Sequence, residues 1–448
     1  MAEPDLDRRL RQVAVVGAAG KMGSGIALLL ARELAWRALE QPAESFILNL
    51  VDLDDAALQN LVRYLRAQAV KEAEKQINRL RALFQDRADL VDNQDMVQEF
   101  GFELLLRLRT GRTLALARDA ALVFEAAFED EALKTSLFRE LAGQCRPDAW
   151  FFSNTSSIPV QGLAQACGLQ GRLVGFHFYN PPAVQKLVEL ILPEDCDPDL
   201  ARSAAELARL LGKRTVPSRD VAGFIGNGHF IREGLHAIRL LEQLAPDHGF
   251  VPALCLLDRV YRDFLLRPMG IFQLMDYVGL DVFQAITGVM GRHLGEELDA
   301  PLIDRCLALG IKGGQGPGGV QKPGFLDYRK GRPAAGYDPE RRDYLPLDDG
   351  LARQVETALG ALPDPSLSWK SLQQDPAREA KLTAHFRALG GLDTLGGTLA
   401  RTCLQASREI ALGLVQRGVA RTAEDVNDVL KLGFFHLYGA VNDFLESP

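Results

Sequence analysis

Cysteine is scarce and scattered in this 448-residue chain: Cys145, Cys167, Cys196, Cys255, Cys306 and Cys403 stand far apart and never form a Cys-x-x-Cys pair. That spacing signals neither a disulfide framework nor a zinc site. No metal is expected, and the thiols read as buried groups in a reducing, cytoplasmic setting. Long hydrophobic runs are missing as well. No apolar stretch reaches the roughly 18 to 20 residues needed to cross a bilayer, and the opening "MAEPDLDRRLRQ" is charged where a signal peptide would be apolar. An excess of positive charge is the third absence. The formal net charge is −8, which argues against nucleic acid as a partner. What is present, 47% hydrophobic and 25% charged residues, is ordinary for a soluble globular protein, at a length that predicts two or three domains.

The first of these reads as α/β. "QVAVVGAAGKMGSGIALLLARELA" has the pattern of a short buried strand, a glycine turn and a helix. A second strand, "FILNLVD", ends on Asp52, and the span from Ala56 to about Arg118 is helical in period and rich in charge. Further strands, "ALVFEAAF", "AWFFSNTS", "RLVGFHF" and "KLVELIL", predict a Rossmann-type doubly wound sheet over 9–217. From Val221 the pattern is helical. We expect a first helical domain over 218–330, a Pro/Gly/Arg-rich linker over 331–349, and a second helical domain over 350–448. "FIREGLHAIRLLEQ" with "RPMGIFQLMD" is echoed by "CLQASREIALGLVQRG" with "GFFHLYGAVNDF", which reads as a duplicated, degenerate module; the alternative is two amphipathic helix pairs alike only in composition.

Three groups of residues carry possible chemistry. Gly17, Gly20, Lys21, Met22 and Gly23 form a turn between strand and helix, where glycine admits a pyrophosphate to the backbone and the helix N-terminus attracts it. Asp52 at the end of the second strand suits ribose hydroxyls and would repel a 2′-phosphate, which favours NAD; a helix N-cap would also explain it. "FFSNTSSIPV" places Asn154, Ser156 and their neighbours at the carboxyl edge of the sheet, as a polar floor or as plain loop capping. His177 and Glu189 lie on two apolar strands joined by Asn180-Pro181-Pro182. A lone histidine on such a strand is usually a core residue. If the turn folds back, however, the carboxylate fixes one ring nitrogen and raises the basicity of the other, as alcohol oxidation requires.

The run "SNTSS", "GFHFYNPPAVQKLVE", "DVAGFIGN" and "RPMGIFQLMDYVGLD" closely resembles the L-3-hydroxyacyl-CoA dehydrogenases. Their pattern is a serine loop, a His-Phe-Phe-Asn-Pro segment ending in Lys-Leu-Val-Glu, a Gly-Phe-Ile-x-Asn helix start and a Pro-Met-Gly-Pro-Phe turn. The likeness covers roughly residues 13–329. It implies NAD-dependent, reversible oxidation of a 3-hydroxyacyl-CoA to the 3-ketoacyl thioester in fatty-acid or short-chain acyl-CoA metabolism. It also implies His177 as base, Glu189 as its partner, Ser156 and Asn227 as holders of the substrate 3-oxygen, Glu129 and Lys134 along the cofactor, and Asp52 at the adenosine ribose. The implied cleft lies between the α/β and first helical domains. Other readings are a hydroxy-acid or sugar-acid dehydrogenase of the same fold, and a nucleotide-binding relative without turnover.

This sequence departs from the family pattern in four places. The glycine turn is one residue longer; the segment 33–49 is extended; Gly228 stands where arginine is common, with Lys322 as the lysine nearest a family Lys-Thr-Gly; and "GFFHLYGAVNDF" loses the Pro-Met-Gly-Pro wording. The resemblance predicts a partner only in the acyl-CoA thioester, and either a homodimer or a monomer whose second helical copy covers the surface of a missing subunit.

Overall fold

The computed structural model describes residues 5–316 and 319–444, and its contacts divide the chain into Met1–Asp220 and Val221–Pro448. Pro317 and Gly318 of the glycine-rich stretch, and residues 445–448 at the end of the expected second helical domain, lie outside the described residues.

The first unit is built on an eight-stranded sheet of β1 (Gln12–Val16), β2 (Ile47–Val51), β3 (Leu108–Gly111), β4 (Leu122–Glu125), β5 (Trp150–Ser153), β6 (Leu173–Phe178), β7 (Leu187–Ile191) and β8 (Arg214–Ser218). Their order is β3-β2-β1-β4-β5-β6-β7-β8. Every neighbouring pair is parallel except β6–β7. The chain winds outward from β1 to β3 and then returns to place β4 on the other side of β1. That reversal is the point where open α/β sheets bind ligands. Strands β4, β5 and β6 are buried at every residue, as their near-continuous apolar runs require of a sheet covered on both faces. Phe124 stacks on Phe152 at 4.8 Å, and Phe176 meets both edge-on.

The span 56–118 is not helical throughout. Helices Asp55–Lys75, Ile77–Leu83 and Asn93–Leu106 are followed by β3, a four-residue edge strand with Arg109 and Thr110 exposed. So short and polar a strand has no period to distinguish it from a charged helix end. Within the segment 33–49, residues 33–40 are the last turns of the helix Lys21–Glu40, whose Trp36 packs on Phe100 at 4.5 Å and under the Arg79 guanidinium.

The second unit begins with the helices Gly226–His248, Phe250–Arg259, Ile271–Val278, Leu280–Leu294 and Pro301–Ala308. The expected linker is folded. Strands β9 (Leu326–Arg329), β10 (Arg332–Asp338) and β11 (Asp343–Pro346) form an antiparallel sheet across it. Lys330 and Gly331 have φ of 51° and 75°, the two positive values that a two-residue hairpin needs. The Gly and Arg residues that suggested a linker are hairpin residues. Helices Asp349–Leu359, Arg378–Gly390, Leu395–Gln416 and Ala423–Gly433 follow. The pieces expected as two helical domains share one core, in which Leu254, Phe272 and Phe325 lie with Leu359, Phe386 and Tyr438.

Within that core the two echoed segments have matching geometry. Asp258 Oδ1 accepts the Phe272 N–H at 2.7 Å, and Asn427 Oδ1 accepts the Val441 N–H at 3.0 Å, each across fourteen residues. Leu266 and Phe435, at corresponding places in the two loops, both have positive φ, 50° and 58°. The helices Gly226–His248 and Leu395–Gln416 pack on each other. A Cβ on Gly228 would lie 2.9 Å from Leu414 of the second helix, a physical reason for glycine where arginine is common.

Candidate active site

β1 ends at the switch point in a turn with almost no room for side chains. Gly17 has φ of +75°, and a Cβ there would lie 2.7 Å from the Ala126 carbonyl oxygen; a Cβ on Gly23 would lie 1.9 Å from the Gly17 carbonyl oxygen. The backbone is therefore drawn in tightly. The helix Lys21–Glu40 starts at Gly20 with no side chain capping it, the kind of helix start that suits an anion. Lys21 is exposed and Met22 half-buried on that first turn. The longer turn is accommodated by hydrogen bonds. Gly17 and Ala18 donate to the Val51 carbonyl, and Ala19 N–H donates to Asp52 Oδ2 at 2.9 Å. Asp54, not Asp52, caps the next helix. The capping alternative for Asp52 is thus excluded, and its carboxylate stands half-buried at the end of β2 beside the glycine turn.

The serine loop after β5 is organised by a buried charge cluster. Glu129 Oε1 accepts the backbone N–H groups of Ser156 (2.8 Å) and Ser157 (2.9 Å) and the hydroxyls of Thr155 (2.7 Å), Ser157 (2.9 Å) and Ser156 (3.3 Å). Burial would push the Glu129 carboxyl up, but the Lys134 ammonium and these donors outweigh it and hold it below the usual range. Lys134 Nζ lies 2.5 Å from Glu125 Oε1 and 3.4 Å from Glu129 Oε2. Burial opposes its charge, and the two carboxylates restore and raise its pKa. Glu125 also accepts the Ser153 hydroxyl at 2.6 Å and the Ala127 N–H at 2.7 Å. Sequence reasoning missed Glu125. Its signal was the one that marked Asp52, an acid closing an apolar strand.

Strands β6 and β7 bring His177 and Glu189 together as direct register partners. Nδ1 of His177 lies 3.3 Å from Oε2 of Glu189, and both side chains are buried. The Tyr179 hydroxyl donates to Glu189 Oε1 at 3.1 Å, a contact no sequence motif announced. Asn154 Oδ1 accepts the Phe178 N–H at 2.9 Å, which clamps the end of β5 to the end of β6. The Asn180–Pro181 peptide is cis, and the loop behind it is anchored by Lys213, whose Nζ donates to the carbonyls of Pro182 (2.5 Å) and Gln185 (2.7 Å). Burial, with Lys186 and Arg32 nearby, brings the Lys213 ammonium down to about 8. Ser156, Glu129 and Lys134 are thus one cluster, and His177 and Glu189 another. Asn227 opens the helix Gly226–His248 in the second unit, and Lys322 is exposed. Among the described residues no three metal-ligating side chains cluster, and no helix is long and apolar enough to cross a membrane.

The family model for the 3-hydroxyacyl-CoA dehydrogenase NAD-binding domain matches residues 102–221, and that for the C-terminal domain of the same enzymes matches 223–322. A 3-hydroxybutyryl-CoA dehydrogenase of Mycobacterium tuberculosis (strain H37Rv) is 34% identical over 316 residues, which are 68% of this chain and 97% of that protein. The chain belongs to the 3-hydroxyacyl-CoA dehydrogenase family. It is thereby an NAD-dependent oxidoreductase acting on a CH–OH group. A probable 3-hydroxybutyryl-CoA dehydrogenase of Bacillus subtilis (strain 168) is 29% identical over 72% of this chain and 98% of its own length. The crystal structure of FadB2 from M. tuberculosis, 32% identical, superposes with a TM-score of 0.52 over 68% of this chain and 95% of that one. A 3-hydroxybutyryl-CoA dehydrogenase structure from Escherichia coli K12 shares the fold over 96% of this chain and 90% of its own, with a TM-score of 0.64 at 22% identity. The likeness of fold therefore continues past residue 330 into the C-terminal helices. The N-terminal family match starts at residue 102, so the glycine turn and Asp52 rest on their own geometry. That geometry fits NAD: a glycine cradle at an uncapped helix start, with a carboxylate at the end of the adjacent strand.

Proposed function

We propose that this chain oxidises the 3-hydroxyl of an acyl-CoA thioester reversibly to the 3-ketone, with His177 as general base. The observation that carries the assignment of the base is the register pairing of His177 with Glu189. With Nδ1–H donating to the carboxylate, the ring has one tautomer, and Nε2 is the atom that takes the hydroxyl proton. Glu189 stabilises the imidazolium that results. Ser156, fixed through its backbone N–H by Glu129, would turn its hydroxyl from the long 3.3 Å contact with Glu129 to the oxygen as it passes between alcohol and carbonyl. Gly17, Gly20, Lys21, Met22 and Gly23 would hold the pyrophosphate and Asp52 the adenosine ribose, while Asn154 and Glu129, with Lys134 buried behind Glu129 as its counter-charge, would lie toward the cofactor's other end. NAD, when bound there, supplies the acceptor for the hydride that leaves C3. Asn227 is proposed as a further holder of substrate from its place in the sequence motif.

The repeated hydrogen-bond scheme at Asp258 and Asn427 supports a duplicated helical module whose second copy packs on the first in place of a partner subunit, so the chain is proposed to be a monomer. Mass measurement in solution tests this, and a dimer would overturn it. Six unpaired cysteines suit a reducing compartment such as the cytoplasm.

The functional test is a spectrophotometric assay with acetoacetyl-CoA and longer 3-ketoacyl thioesters, run with NADH and with NADPH. Turnover with NADH on the thioester is expected. Activity confined to a free hydroxy acid would overturn the substrate assignment.

A further inference from the structure

We propose that Tyr179 is a positioning residue of the catalytic pair, holding the Glu189 carboxylate by a second hydrogen bond and limiting how strongly that carboxylate stabilises a protonated His177. The proposal rests on the His177 and Glu189 roles given above. Glu189 is fully buried, so the donors around it, rather than water, decide how its charge is shared. Its two oxygens are divided. Oε2 faces His177 Nδ1 at 3.3 Å, and Oε1 takes the Tyr179 hydroxyl at 3.1 Å. The Tyr179 ring itself lies 4.8 Å from the imidazole, centroid to centroid, and tilted to it.

The hydroxyl is a permanent donor. Burial and the neighbouring carboxylate hold the phenol well above its ordinary pKa of 10, so it keeps its proton wherever the enzyme works. Across the sheet Glu189 meets two titratable groups, His177 from β6 and Tyr179 just beyond it, while β8 sets the uncharged Val216 beside it in register. A hydrogen bond from the phenol draws electron density to Oε1. The imidazolium then finds a weaker counter-charge at Oε2 than an undivided carboxylate would offer. The family pattern quoted above has phenylalanine here, where this chain reads His-Phe-Tyr-Asn-Pro.

Tyr179→Phe isolates that hydroxyl. In the oxidation direction the acid limb of the kcat/KM profile should move to higher pH by about half a unit to one unit, the size of one charge-assisted hydrogen bond shared between two partners. The KM for the thioester on the alkaline plateau should hold within about twofold, and the downfield Nδ1–H proton resonance of His177 should move further downfield. His177→Gln run beside it separates the two claims. If His177→Gln abolishes turnover while Tyr179→Phe leaves both the pH profile and the proton resonance unchanged, the Tyr179 proposal is overturned and the catalytic pair stands. If His177→Gln retains turnover, the pair itself is wrong.

Discussion

His177 and Glu189 face each other across the one antiparallel pair of an otherwise parallel sheet, β6 and β7, as register partners. The reversal supplies the proximity. Parallel neighbours need a crossover of a dozen or more residues, whereas the tight return through Asn180, Pro181 and Pro182 sets two side chains twelve residues apart on the same face of adjacent strands. Register also fixes the pair, because a slip of one residue would turn Glu189 to the other face of the sheet.

Glu189→Gln keeps this shape and removes the charge. The amide can still meet Nδ1, but it cannot stabilise an imidazolium, so kcat should fall by roughly 10²- to 10⁴-fold with little change in the affinity for NAD. Steady-state kinetics with fluorescence titration of the cofactor would separate the two. Full activity in this variant would remove the carboxylate from the mechanism.

Gly23→Ala tests the cradle. Its Cβ would fall 1.9 Å from the Gly17 carbonyl oxygen, and since that contact is backbone on both sides the turn itself must open. NAD affinity should drop at least tenfold while the thermal unfolding of the apo protein shifts by only a few degrees, as expected of a loss of about 1 kcal/mol. Calorimetric titration would measure the first, and an unchanged affinity would place the pyrophosphate elsewhere.

Lys134 is buried between Glu125 and Glu129, so removing it leaves two carboxylates without a counter-charge. Lys134→Met should cost about 3–5 kcal/mol in urea unfolding at pH 7. The sign with pH follows from Glu129, whose carboxyl is held low in the fold. A depressed pKa contributes stability above the unfolded value, near 4, and loses it as pH falls through the folded one. Stability of the native protein should therefore decline on acidification below about pH 4, and the variant should lose less over the same range.

The sheet was legible because buried parallel strands are near-continuous apolar runs, and "LVFE", "WFFS" and "LVGFHF" have no other plausible fate. β3 was not legible, because four edge residues carry no period. The hairpins of β9 to β11 were mistaken for a linker, because positive-φ residues such as Lys330 and Gly331 look alike in turns and in tethers. The pairing of His177 with Glu189 could be read because two polar residues interrupt apolar strands on either side of an Asn-Pro-Pro turn. Glu125 closes an apolar strand as Asp52 does and carried that signal, but its partners, like those of Tyr179, could not be read in the same way. A hydroxyl's or carboxylate's partner depends on strand register and on which residue across the sheet has a free lone pair or proton, and neither is written in local sequence.

Asp258 gives the last test, and the chain supplies its own control. Burial pushes this carboxyl up to about 7, against the backbone N–H groups of Phe272 and Gln273 and the Arg262 charge, which pull it down. A raised carboxyl contributes stability below its unfolded value and loses it as pH rises through the folded one, so the protein should weaken between about pH 4 and pH 7. At the matching place in the echoed segment, Asn427 makes the same bond to a backbone N–H with a group that cannot ionise. Asp258→Asn should accordingly be tolerated, raise stability at pH 8 by on the order of a few kcal/mol, and flatten this part of the profile. Chemical denaturation at pH 5 and pH 8 would measure it; a variant less stable than the native protein at pH 8 would mean that the fold uses the charge of Asp258.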